Sequence, residues 1–153
     1  MGVDFISIWR LFEEALAASE FGVSASIRKQ MDAPNDAWAE FWLIGLRPNE
    51  EKSLSLEIIK IYEGFWKQQS LSSKSKTTKR RYSNGLAAIG SHIIEKLFNR
   101  YPEEYDKNKS ASDVLLDFVD KYEGPLIYET EDEQREIDLV SKKLYKFINQ
   151  STR

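Results

Sequence analysis

The chain has 153 residues, a formal net charge of -3 and a hydrophobic share of 41%, with four Trp, seven Tyr and eight Phe, which is enough to bury one core; residues 1–153 read as a single domain. There is no cysteine, which excludes disulfides, thiolate catalysis and Cys-based zinc or iron–sulfur sites. Gly-x-Gly-x-x-Gly, the P-loop Gly-Lys-Ser/Thr and the Gly-x-Ser-x-Gly elbow are all missing, so neither an enzyme nor a cofactor is expected.

The opening "MGVDFISIWR" lacks the basic and apolar regions of a signal peptide, and the apolar runs are about half a membrane span, so a cytoplasmic, membrane-free protein is expected. Pro34, Pro48, Pro102 and Pro125 punctuate segments of helical period. Phe5, Ile8, Trp9, Phe12 and Leu16 after Asp4 predict a helix over 5–19, and a short piece follows around 26–31. Asn35 or Asp36 can cap a helix carrying Trp38, Phe41, Trp42, Ile44 and Leu46. It is apolar almost all round, so it belongs to the core or to an interface, with the core preferred.

Pro48 suits the first turn of the next helix, where Glu50 and Glu51 face its positive end and Leu54, Ile58, Ile61 and Phe65 make a core stripe up to about Gln68. After the polar break "SLSSKS", Tyr82, Leu86, Ile89, Ile93 and Leu97 predict a long helix over 76–99. Ser110 with Asp113 opens a helix holding Val114, Leu115, Phe118, Val119 and Tyr122. Thr130 with Glu133 opens the last, holding Ile137, Val140, Leu144, Phe147 and Ile148. Only "PLIYE" reads as a short extended piece. The expected fold is all-α, an irregular orthogonal bundle of about six helices.

Charge segregates along this scaffold. Residues 101–138 carry thirteen Asp or Glu against four Lys or Arg, whereas Lys74, Lys76, Lys79, Arg80 and Arg81 fall within eight residues at a helix start. Cations there oppose the helix dipole by tenths of a kcal/mol each, so local stability does not explain them. With Ser75 as N-cap, Thr77 and Thr78 occupy the second and third helical positions. Together with the cations they form a phosphate-type anion site that reads no base. Gly85 and Gly90 in the same helix point to close packing or close ligand approach, with packing preferred.

Ser73 or Ser75, Thr77 or Thr78, Arg80-Arg81-Tyr82 and then Leu86 with its apolar period resemble the helix-opening motif of the SAM-like core-binding domains that precede the catalytic domain of tyrosine recombinases, over residues 53–100. The resemblance implies a small helical bundle that clamps duplex DNA and gives Lys76, Thr78, Lys79, Arg80 and Arg81 backbone-contact roles. It does not extend to catalysis, because His92 is followed by Ile93-Ile94-Glu95 rather than His-x-x-Arg. The segment "EGPLIYETEDEQREIDLVSKKLYKFI" resembles those of small bacterial proteins.

Other constellations are weaker. Asp106, Asn108, Ser110, Ser112 and Asp117 fit positions of a calcium loop, but Ala111 stands where glycine makes the turn and Asp117 is shorter than the usual bidentate Glu. His92 is the single histidine, with no nucleophile beside it in sequence. Trp38, Trp42 and Trp66 at helical spacing read as core rather than as a ligand pocket. The sequence therefore favours a non-catalytic interaction module that meets a protein partner or a second copy through Trp38, Phe41 and Trp42. The alternative is a small accessory DNA-binding protein gripping phosphate through 73–84; no metal is expected in either.

Overall fold

The computed structural model describes residues 33–127 and 130–151. Among these the chain is all-α, with no strand. The five α-helices of the described residues are α1 (Trp38–Trp42), α2 (Pro48–Gln68), α3 (Lys76–Glu95), α4 (Ala111–Phe118) and α5 (Glu131–Ser151). The helix predicted over 5–19 and the piece at 26–31 lie outside the described residues.

Helix α3 holds the centre, with α1, α2 and α5 packed against it, while α4 rests on α2 and α5. Tyr82, Leu86, Ile89, Ile93 and Leu97 are buried as their spacing predicts. Ser83, Ala87, Ala88 and Ile94 are buried too, so α3 is covered on faces beyond the predicted stripe. Small residues make this enclosure geometrically feasible. A Cβ placed on Gly90 would lie 2.3 Å from the Trp42 indole, and one on Gly85 would lie 2.8 Å from Val140 of α5. Both glycines are places where a neighbouring side chain occupies the volume of a methyl group. Beyond Glu95 the helix widens into a π turn over Lys96–Arg100, and Pro102 starts a separate short 3-10 turn.

The α1–α2 connection departs from expectation. The predicted helix ran on to Leu46, but α1 stops at Trp42: Leu43 is extended, Ile44 is half-buried and Leu46 is exposed. The cause is Glu51, in the first turn of α2. Its side chain is fully buried and its carboxylate accepts three backbone N–H bonds from this loop, from Ile44 at 2.6 Å and Gly45 at 3.0 Å to Oε1, and from Arg47 at 2.6 Å to Oε2. Wrapping the loop around one carboxylate needs a left-handed residue, supplied by Gly45 at φ +94°. Arg47 then spreads its guanidinium over the Tyr105 and Phe98 rings, 5.3 and 5.9 Å from their centroids, which ties the loop to the far end of α3.

Helix α2 runs from Pro48 to Gln68 as predicted, with Leu54, Ile58 and Phe65 buried and Ile61 half-buried. The polar break after it is anchored by the buried Leu71, following a left-handed Ser70 at φ 53°. Both capping boxes form as predicted on their N-cap side: Ser110 Oγ accepts the Asp113 N–H at 3.2 Å and Thr130 Oγ1 accepts the Glu133 N–H at 3.4 Å. Pro125–Ile127 is irregular rather than a strand. It is pinned to α5 by Gln134, which donates to the Pro125 carbonyl at 2.8 Å and accepts from the Ile127 N–H at 3.0 Å.

Two predictions follow from packing and burial. Gly90→Ala is expected to lose about 1–3 kcal/mol of stability in urea denaturation, despite alanine's better helix propensity, because the indole cannot retreat. Gly64→Ala, whose Cβ would meet only the Phe147 ring edge at 3.3 Å, should change stability by less than about 1 kcal/mol. Equal effects at the two sites would contradict the close approach at Gly90.

Burial alone would raise the Glu51 pKa, but the backbone N–H groups of Arg47, Gly45 and Ile44 hold it below the ordinary value of 4.5. A depressed carboxylate stabilises the fold above its unfolded pKa and stops doing so as pH falls through its folded one. Glu51→Gln should therefore lose on the order of 3 kcal/mol at pH 7. The gap to wild type should narrow from about pH 4.5 downward. A gap unchanged between pH 7 and 3 would contradict this role.

Candidate functional site

The sequence-predicted basic residues all sit on the first turns of α3 and the residues leading into it. Ser75 is the N-cap: its Oγ accepts the Thr78 N–H at 3.2 Å and its carbonyl accepts the Lys79 N–H at 3.0 Å. Its hydroxyl also donates to Thr78 Oγ1 at 3.1 Å. The Thr78 N–H is thus engaged by the cap, while its hydroxyl accepts from Ser75 and keeps its own O–H to donate. Of the N–H groups that a helix start leaves without intrahelical partners, the cap takes that of Thr78, and Lys76 and Thr77 before it are exposed residues. Lys74, Lys76, Thr77, Arg80 and Arg81 are exposed, and Thr78 and Lys79 are half-buried.

Arg81 makes an ion pair with Glu136 of α5 at 3.4 Å, both side chains about half exposed. Lys74, Lys76, Lys79 and Arg80 have no carboxylate partner among the described residues.

Helix α5 extends this surface. Lys143 places its ammonium over the Tyr82 ring, 5.8 Å from the centroid, one residue beyond Arg81 on α3. Lys143, Lys146, Phe147 and Gln150 recur at i, i+3, i+4 and i+7, and with Gln68 and Gln69 from the end of α2 they line a groove of about 280 Å³. The adjoining stripe of Lys142, Tyr145, Lys146, Asn149 and Gln150 lines a cavity of about 330 Å³ together with Lys121. Lys146 and Gln150 line both. Neither lining contains an acidic residue among the described residues.

These α5 lysines were missed at the sequence level, although a signal exists. The acidic region ends at Asp138, and residues 139–153 hold three lysines, one arginine and no Asp or Glu. A helix dipole explains cations only within the last turn, whereas Lys142, Lys143 and Lys146 stand before it.

The aromatic candidates lie elsewhere. Trp38 and Trp42 are 0% and 2% exposed, packed edge-to-face on each other and on Tyr62 with ring centroids 6.0 to 6.4 Å apart. The preferred core reading is the one the structure carries, and it corrects the use of these two indoles as an interface: a side chain fully enclosed by its own chain offers no area to a partner. Phe41 alone of the three reaches the surface, at 36%. Trp66 is also buried, donating from its indole to Ser72 Oγ at 3.3 Å.

In the calcium-type frame, Lys109 is paired with Asp117, Ser110 caps α4, and Asp106 Oδ1 accepts the Asn108 N–H at 2.9 Å. Among the described residues no three His, Asp or Glu side chains gather as a metal site. His92 packs edge-on to Phe118, 5.9 Å between centroids, and burial together with the Lys96 charge lowers its pKa, favouring neutral imidazole. Among the described residues, no helix is long and apolar enough to cross a membrane.

No family model, curated protein or solved structure matches this chain.

Because the strip is solvent-facing and set against the helix dipole, Lys79→Ala/Arg80→Ala/Arg81→Ala should leave folding stability within about 1 kcal/mol of wild type. A larger loss in urea denaturation would make these cations structural.

Proposed function

We propose that the protein is a small non-catalytic DNA-binding module that grips phosphate across the α3 start and the second half of α5. The observation that carries this reading is the seat of Lys143 on Tyr82, which joins the lysines of α5 to the strip at 74–81. Phosphate affinity rises with the number of cations that can be applied together, each releasing a condensed counterion, so a surface drawn from two helices is far more effective than one helix turn. The exposed residues Lys76 and Thr77 stand at the positive end of α3, where backbone N–H groups favour an anion. The resemblance of residues 53–100 to core-binding domains assigns backbone contacts to the same Lys76, Lys79, Arg80 and Arg81.

The acidic remainder limits the mode of binding. With a net charge of -3 overall and thirteen Asp or Glu against four Lys or Arg over 101–138, much of the chain disfavours a polyanion, which favours contact through this surface. Burial of Trp38 and Trp42 removes the aromatic contacts on which a protein–protein reading through α1 rested.

Fluorescence anisotropy of a labelled DNA oligomer across a salt series tests the reading. Micromolar or tighter binding is expected at low salt. With roughly five phosphates contacted, log Kd should change with log salt at a slope of about 4 in magnitude. The Lys79→Ala/Arg80→Ala/Arg81→Ala variant should bind at least tenfold more weakly with a shallower slope. Absence of binding at 20–50 mM salt, a range at about the low end for such contacts, would reject it.

A further inference from the structure

We infer that the cavity between α5 and Lys121 receives an unpaired nucleotide, so that the protein prefers single-stranded nucleic acid over duplex. This rests on the phosphate reading above and deepens it. Six described side chains line the hollow: Lys121, Lys142 and Lys146, with the Lys121 ammonium 5.0 Å from the Tyr122 ring centroid, Tyr145 with a half-buried ring, and Asn149 and Gln150 with amides, that of Asn149 donating to the Tyr145 carbonyl at 3.0 Å.

The hollow is open to solvent on one side and holds about 330 Å³, at the lower end for small-molecule sites, room for one ring system with its phosphate rather than an extended ligand. A tyrosine ring offers a stacking face to any base, amides can meet a base edge, and lysines hold the adjoining phosphate. A base inside a duplex is stacked and paired and cannot enter, whereas a single strand presents it without that cost.

Position supports the same ligand. Lys146 walls both this cavity and the groove that contains Lys143, and Lys143 meets Tyr82 at the α3 start. A strand running along the lysines would therefore pass its phosphates over Lys143 and Lys146 while turning one base into the cavity beside them.

The test compares a labelled single-stranded 12-mer with the matching duplex, using the full chain, its Lys121→Ala/Lys142→Ala variant and the strip variant. Lys121 and Lys142 are exposed, so their replacement leaves the fold intact. The expected result is single-strand binding tighter by on the order of fivefold to tenfold. Lys121→Ala/Lys142→Ala should abolish that preference, while the strip variant weakens both ligands alike. A nucleoside monophosphate should displace the single strand at concentrations where inorganic phosphate does not, which attributes the preference to the base. Equal affinity for the two DNA forms, or equal displacement by inorganic phosphate, would overturn the inference and leave the phosphate reading standing. No binding to either form at low salt would remove both.

Discussion

Everything in this fold depends on α3 being able to run through the middle of the molecule, and that depends on two missing side chains. Gly90 leaves the space that the Trp42 indole fills, and Gly85 leaves the space that Val140 fills. With α1 and α5 both pressed against one helix, the indoles of Trp38 and Trp42 are withdrawn from the surface and α5 is fixed in the register that carries Lys143 to Tyr82. A helix enclosed in this way can carry charge only where it emerges. The concentration of Lys and Arg on the approach to α3 and its first turns is consistent with that geometry, yet geometry does not dictate sign, and the dipole disfavours cations there.

Much of this was legible from the sequence because it is local. The 3.6-residue period gives the buried stripes of α2, α3 and α5, and hydrogen bonds between residues only three apart give the caps at Ser75, Ser110 and Thr130. The failures come from interactions that act across loops. The end of α1 is decided by Glu51, which reaches back to three N–H groups; in the sequence that residue looks like an ordinary acid at a helix start. The candidate site was legible by half. A run of five cations is conspicuous, whereas Lys142, Lys143 and Lys146 are spread along a helix whose first turns are acidic, and only the packing of α5 on α3 seats Lys143 on Tyr82, next to the strip.

Placing the cations against an acidic remainder has a functional consequence. A uniformly basic protein binds DNA in many orientations, while one with a single positive face binds in few, and its affinity is set by how many cations that face combines. The central claim is that the surface is composite, with α3 and α5 contributing together rather than the α3 strip acting alone.

The most direct test is the salt dependence of DNA binding by Lys143→Ala against wild type. The cation–π contact with Tyr82 is worth about 0.5–1 kcal/mol at an exposed site, so the variant should fold normally. A composite surface predicts weaker binding and a salt slope reduced by about one, the signature of one lost phosphate contact. Unchanged affinity and an unchanged slope would show that α5 takes no part, and would contradict the account.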